Sequence, residues 1–254
     1  MTTLVAPGTP AALAQLLCGA RELGERVDPA LLGALARDGS YAVQDATLAR
    51  IGPVGGWKVG AGGPGQEPTC APLPAAGLLP HGVALQGSGW RLRGIEVEVA
   101  FVLGASLPPR DKPYTHHDIE AALAHVVPAI EIVESRLEDW LGAGRDAQLA
   151  DLLSHGALVM GRPRVFTRDW LHLGALEATL RFGRRTVAHT IGGHQSPDIG
   201  ALLVWLANHC AARGVGLKAG QVVTTGTCTG LLLASAGSRV SGAIEGLGTV
   251  TVRF

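Results

Sequence analysis

Charge is scarce in this chain. Asp, Glu, Lys and Arg make up 17% of its 254 residues, and 21 acids cancel 21 bases. Gripping nucleic-acid phosphates takes a basic stripe; none is visible, so that partner class has no electrostatic support. Only four cysteines occur, Cys18, Cys70, Cys210 and Cys228, far apart and without a CxxC pair. That argues against a structural zinc site or a disulfide framework and leaves reduced thiols as the expectation. No apolar run approaches the roughly 20 residues a membrane helix needs, and no charged start followed by an apolar run marks a signal peptide. The expectation is a cytoplasmic protein with neither membrane nor nucleic acid as partner. A G-x-S-x-G elbow and HExxH spacing are also missing, which leaves serine-hydrolase and zinc-protease chemistry unsupported.

What is present is apolar. Hydrophobic residues reach 47%, enough for a real core, and 36 glycines imply many tight turns. The first 52 residues read as helical. Thr9-Pro10 resembles an N-cap with proline in the first turn, followed by a stripe of Leu13, Leu16, Leu17, Ala20 and Leu23. Asp28-Pro29 repeats the start signal, with Leu31, Leu32 and Leu35 inward and Gly39 as the stop. Trp57-Lys58-Val59-Gly60 reads as a strand, and 61–76, rich in Gly and Pro, as a loop.

From about residue 77 the chain becomes strand-rich. Segments 94–103 and 129–135 are strands joined by a helix over Thr115–His125. A short helix covers Asp146–Leu153 and precedes a strand over 156–161. Gly183-Arg184-Arg185 turns a hairpin between 176–182 and 186–191. Ser196-Pro197 opens a helix with Ile199, Leu202, Leu203, Leu206 and Cys210 inward and Gly214 as its cap; strands at 222–225, 239–244 and 249–254 follow. Strands and helices do not alternate, so an α+β core with a mixed or barrel-like sheet is expected over a doubly wound one. The domains read as 1–76, mostly helical with a linker, and 77–254.

Two strands carry acids where a core strand should not. Glu96 and Glu98 lie two apart in an apolar run, so they share a face opposite Ile95, Val97 and Val99. Glu131 interrupts a second apolar strand, Pro128–Glu134. Taken alone, Glu-x-Glu describes any half-exposed strand. Buried acids, however, are paired or metal-bound, and three uncompensated carboxylates would raise one another's pKa. The pattern fits an oxygen cage for a hard divalent cation such as Mg²⁺ or Mn²⁺.

Other candidates are less specific. Lys58 either sends its ammonium to the surface or serves a dicarboxylate site by proton transfer or anchoring. Ser154-His155-Gly156 has the look of an ordinary helix C-terminus. Thr224-Thr225-Gly226-Thr227-Cys228-Thr229-Gly230 could cradle a carboxylate on hydroxyls and backbone N–H groups, although such turns also occur without function.

In order, these segments resemble the fumarylacetoacetate hydrolase superfamily, and within it the 2-keto-4-pentenoate hydratase and oxalocrotonate decarboxylase branch. The resemblance runs from about Tyr41-Ala42-Val43-Gln44 to the C-terminus. It includes Gly56–Gly60, Ile95–Leu103, Pro128–Arg136, Val204–Asn208 and Gly246–Phe254. It implies a small helical N-terminal region and a rolled, mixed β C-terminal domain. It implies Mg²⁺ or Mn²⁺ held by Glu96, Glu98 and Glu131, with Lys58 and Ser154 catalytic and Leu79 and Thr227 beside the substrate. Where the branch carries Asn and a second Ser, this chain has Leu152 and His155; Glu134 replaces a usual Asp, and the 225–230 turn looks more like the hydrolase relatives.

The activity so implied is metal-dependent hydration of 2-hydroxy-2,4-dienoates in aromatic-compound breakdown. Decarboxylation of an oxalocrotonate-type diacid and C–C hydrolysis of an acylpyruvate or fumarylpyruvate are alternatives that use the same chelate. Hydrolysis would also ask His81 or His155 to serve as base, although a packed or solvated histidine is the ordinary role for either. A further alternative is a non-catalytic scaffold subunit in a hydratase–decarboxylase complex. A homo-oligomer is expected, as is a possible complex with a related hydratase or decarboxylase.

Overall fold

Helix α1 (Pro10–Leu23) begins where the cap predicts: Thr9 Oγ1 accepts from the Ala12 N–H, and Gly24 closes it in the left-handed region. The computed structural model describes residues 6, 8–63 and 65–254. The second start signal yields less than expected. Asp28 caps a single 3₁₀ turn, Pro29–Leu32, which Gly33 ends at positive φ, leaving Leu31 exposed. Helix α2 (Arg37–Ile51) starts afresh and runs through Gly39, which is therefore no stop.

The strands are β1 (Val54–Gly60), β2 (Thr69–Pro74), β3 (Leu78–Pro80) and β4 (Gly94–Leu103), then helix α3 (His116–Ala122) and β5 (Leu123–Val133). Helix α4 (Arg145–Ala150), β6 (His155–Met160), β7 (Arg164–Val165), β8 (Glu177–Phe182) and β9 (Arg185–Ile191) follow. Helix α5 (Ile199–Ala212) precedes β10 (Val222–Thr227), β11 (Leu232–Leu233), β12 (Arg239–Ile244) and β13 (Gly248–Arg253).

Several boundaries depart from the sequence reading, among them the helix expected over Asp146–Leu153, which ends at Ala150. The 61–76 stretch contains β2, whose Cys70, Ala71 and Leu73 are buried against β1. Helix α3 stops at Ala122, because Leu123 turns extended and the β-branched run Val126-Val127 continues as strand. Helix α5 is capped by Asp198, whose side chain accepts from the Ala201 N–H, and not by Ser196.

The larger sheet runs β2-β1-β10-β4-β5-β6-β3, with β11 added to β4 and β7 to β5. Its outermost strands on this path, β2 and β3, are joined by one 3₁₀ turn, Ala75–Gly77, so the sheet rolls without closing its ladder. The convex face, with Val97, Val99, Ile130 and Val159, packs against Val240, Val250 and Val252 of the second sheet, β13-β12-β8-β9. Inside the roll lie Leu73, Ala100, Val127, Ala129, Leu158 and Val222. The fold is thus α+β, a rolled mixed sheet preceded by a small helical region. Helices α1 and α2 are held by their own cluster, in which Leu13, Leu17 and Val43 meet Leu137 and Ala150. Among the described residues no helix is long and apolar enough to cross a membrane.

Candidate metal centre

Strand alternation puts the three acids where the sequence reading expects them. Glu96 faces Glu131 directly across the antiparallel β4–β5 pair, and Glu98 lies one pleat further along β4. One carboxylate oxygen from each falls within 4.8 Å of the others. Glu98 and Glu131 are buried, and Glu96 is half-buried.

Lys58 joins them. Trp57 and Val59 are buried on the opposite face of β1, so Lys58 points into the roll, in register with Thr224 of β10 and Ala71 of β2. Its Nζ donates to Glu131 Oε1 at 2.6 Å and to the Leu153 carbonyl at 3.2 Å. His155 Nδ1 lies 3.2 Å from the same Glu131 oxygen, and the ring is fully buried.

The charges are unevenly compensated. Burial would raise Glu131, but Lys58 and His155 outweigh it and hold its pKa down at about 2. Burial, and then repulsion from Glu131, push Glu96 up to about 7; Glu98 is raised well above its ordinary value by the same two causes and by Glu96. Burial lowers Lys58, yet the three acids prevail and its pKa is raised. His155 is pushed down to about 4, chiefly by burial, so it is neutral at pH 7. Glu131 Oε2 and the Thr224 hydroxyl are buried without a hydrogen-bond partner among the described residues. Three clustered carboxylates short of positive charge, one with an orphaned oxygen, fit the hard-oxygen donor set of a divalent cation.

The wall beside Lys58 is built from strained backbone. Leu152, Leu153 and Ser154 all adopt positive φ, near +50° to +57°, a conformation costing a non-glycine residue about 1–2 kcal/mol. A buried ion pair holds it. Arg136 Nε donates to Asp151 Oδ1 at 2.5 Å, Arg136 Nη2 to the Asp151 carbonyl and Arg136 Nη1 to the His155 carbonyl, each at 2.9 Å. The turn aims the Leu153 carbonyl at Lys58 and places Ser154, buried, between Leu153 and His155.

Thr227 stands opposite Glu98 across β10–β4; its hydroxyl donates to the Gly230 carbonyl and accepts from the Thr229 N–H. The N–H of Gly226 donates to Glu98 Oε2 at 3.3 Å. Leu79 is not brought into this group. It pairs with Val159 on the convex side and lines a separate cavity. Nor is Glu134, whose carboxylate accepts from Arg26 Nη2 and from the N–H groups of Leu92 and Arg93. His81 lies elsewhere, with Nδ1 accepting from the Thr251 N–H. Thr224 is the first residue of the hydroxyl-rich turn that the sequence singled out; the Arg136–Asp151 pair was missed, because a buried Arg fifteen residues from its Asp leaves no short-range pattern.

Residues 64–254 match the family described as Fumarylacetoacetate (FAA) hydrolase C-terminal. This chain belongs to that family. It is similar to a 2-hydroxyhexa-2,4-dienoate hydratase of Comamonas testosteroni, 32% identical over 172 residues, 68% of this chain and 64% of the relative. It is also similar to 2-keto-4-pentenoate hydratase 1 of Dechloromonas aromatica (strain RCB), 33% identical over 163 residues, 63% of this chain and 59% of the relative. The matched stretch thus spans less than two thirds of these relatives. A solved 4-oxalocrotonate decarboxylase from Pseudomonas putida G7, complexed with magnesium and adipate, shares the fold: TM-score 0.84 at 22% identity, covering 98% of both chains.

Proposed function

We propose that this protein is a divalent-metal-dependent hydratase of 2-hydroxy-2,4-dienoates, the enol forms of 2-keto-4-enoates, with Mg²⁺ or Mn²⁺ as cofactor. The convergence of Glu96, Glu98 and Glu131 beside Lys58 carries the reading. Two relatives above 30% identity that bear hydratase names support it. Held by the three glutamates, the cation would act as a Lewis acid toward the substrate's 1-carboxylate and 2-oxygen.

The chain's own groups then have definable tasks. Lys58, protonated at neutral pH and fixed by Glu131 and the Leu153 carbonyl, moves the proton between the enol and the far carbon of the dienol. That produces an α,β-unsaturated ketone, to which water adds. Ser154 and the hydroxyl-lined 224–227 segment orient the substrate, and the unpartnered Thr224 hydroxyl has hydrogen-bonding capacity to spare. His155 is a positioning residue on Glu131. Its free Nε2 is buried, which counts against its activating water for C–C hydrolysis. The presence of all three glutamates and Lys58 counts against a scaffold role. Assembly into a homo-oligomer is part of the same reading and follows from the family resemblance.

The deciding experiment offers 2-hydroxydienoates, oxalocrotonate-like diacids and acylpyruvates with Mg²⁺ present and identifies the products. Hydration without loss of carbon is expected. Carbon dioxide release, or cleavage to two acids, overturns the assignment in favour of decarboxylation or hydrolysis.

A further inference from the structure

A second cavity, of about 460 Å³, lies outside the roll, behind β6 and the Ala75–Gly77 turn. That volume suits a small organic ligand. Its walls are apolar at Ile51, Pro74, Leu79, Leu85 and Trp90, and none of Glu96, Glu98, Glu131 or Lys58 lines it.

Three arginines line it, and the guanidinium groups of two are spent. Arg26 is paired with Glu134 at 2.8 Å and also donates to the Leu137 carbonyl. Arg136 is committed to Asp151 and to the His155 carbonyl. Arg21 differs. Among the described residues it makes one hydrogen bond, from Nη2 to the His155 carbonyl at 2.9 Å, and has no carboxylate within ion-pair distance. A guanidinium carries five N–H donors, so most of this one's capacity is unused. Glu25, the other acid of the lining, is exposed, and Glu134 is occupied by Arg26 and two backbone N–H groups. Burial, then repulsion from Arg136, lower the Arg21 pKa to about 9, against partial compensation by Asp151 and Glu134.

We propose that this cavity is a second small-molecule site, taking a monocarboxylate with a compact apolar body: carboxylate on Arg21, body between Trp90 and Leu79. Arginine is suited to a carboxylate because two of its N–H groups match the two oxygens. Chemically this ligand resembles an organic-acid metabolite more than a phosphate or a peptide, since Arg26 and Arg136 are already paired and Ile51, Pro74, Leu79, Leu85 and Trp90 offer apolar contact to a carbon body. The site stands back to back with the metal centre, sharing residue 155: its carbonyl faces Arg21 while its ring meets Glu131.

Benzoate is the probe, titrated calorimetrically into the full chain with EDTA present. Saturable one-site binding is expected, weakened at least tenfold by Arg21→Leu and unchanged by Lys58→Met, which alters the metal centre instead. Ala76→Phe, at an exposed position in the lining, fills the cavity without touching Arg21 and should weaken binding equally, even if Arg21→Leu fails to fold. Absence of benzoate binding, binding that survives Ala76→Phe, or binding lost with Lys58→Met overturns the proposal.

Discussion

Glu96 stands directly opposite Glu131 in the β4–β5 ladder, yet the two carboxyl groups are driven in opposite directions, one up to about 7 and the other down to about 2. Of the three acids Lys58 bonds only to Glu131, so the strand partner takes the repulsion without the ion pair. A pH dependence follows. From the ordinary value of 4.5 to about 7 the folded, metal-free protein holds more protons than the unfolded chain, so stability falls as pH rises through that window. Glu98 adds to the same sign, His155, held down at about 4, opposes it between about 4 and 6.5, and Glu131 contributes stability that is lost only as pH falls from 4.5 toward 2. Urea midpoints in EDTA should be lower at pH 8 than at pH 6.5, where His155 is neutral in the folded state and little of its opposing effect remains, and Mg²⁺ should raise the pH 8 value more. Equal midpoints would contradict this compensation scheme.

Metal affinity should follow the same protons. Since Glu96 must ionise to bind a cation, Mg²⁺ affinity is expected to rise between pH 6 and 8 with proton release. Calorimetry in two buffers of different ionisation enthalpy measures that release. Glu98→Gln should abolish most Mg²⁺ binding and lower turnover on the order of 10³-fold or more. Normal affinity with near-normal turnover would end the metal assignment.

Lys58→Met should retain divalent-metal binding while reducing turnover by roughly 10²- to 10⁴-fold, the usual contribution of a positioned proton-transfer group. Lys58→Arg keeps the charge beside Glu131 but holds its protons too firmly, so it should not rescue. Substantial rescue would show that Lys58 serves only as an anchor.

The Arg136–Asp151 pair is buried on both sides. Breaking one partner of such a pair typically costs about 3–5 kcal/mol. Asp151→Asn is expected to fall in that range by chemical denaturation and to lower activity as well, because the strained Leu152–Ser154 turn loses its brace. A loss under about 1 kcal/mol would mean the turn is held by other contacts.

Ser154→Gly separates fold from chemistry. Glycine accepts the positive φ of 57° at this position, so thermal stability should change little. On the proposed role of Ser154 in orienting the substrate, loss of its hydroxyl should lower kcat/KM at least tenfold. Unaltered kinetics would remove Ser154 from the site.

The acids were legible because strand periodicity is local: two glutamates two apart, and one amid branched aliphatics, leave few faces to occupy. Helix α1 was legible for the same reason, through Thr9 and Pro10. Strand β2 was not, since Thr69–Pro74 carries two prolines and reads as a loop until β1 supplies its partner. The 3₁₀ turn at Pro29–Leu32 misled because a proline start signal says where a helix begins and nothing of how far it runs. Leu152 and Leu153 adopt a backbone that leucine disfavours, and no propensity argument reaches it; only the distant Arg136 explains why it persists.

The Ala75–Gly77 turn has a mechanical consequence. Two strands that terminate opposite flanks of the rolled sheet leave a hinge of three residues, so neither flank can swing away without dragging the other. The roll is thereby tethered at its seam.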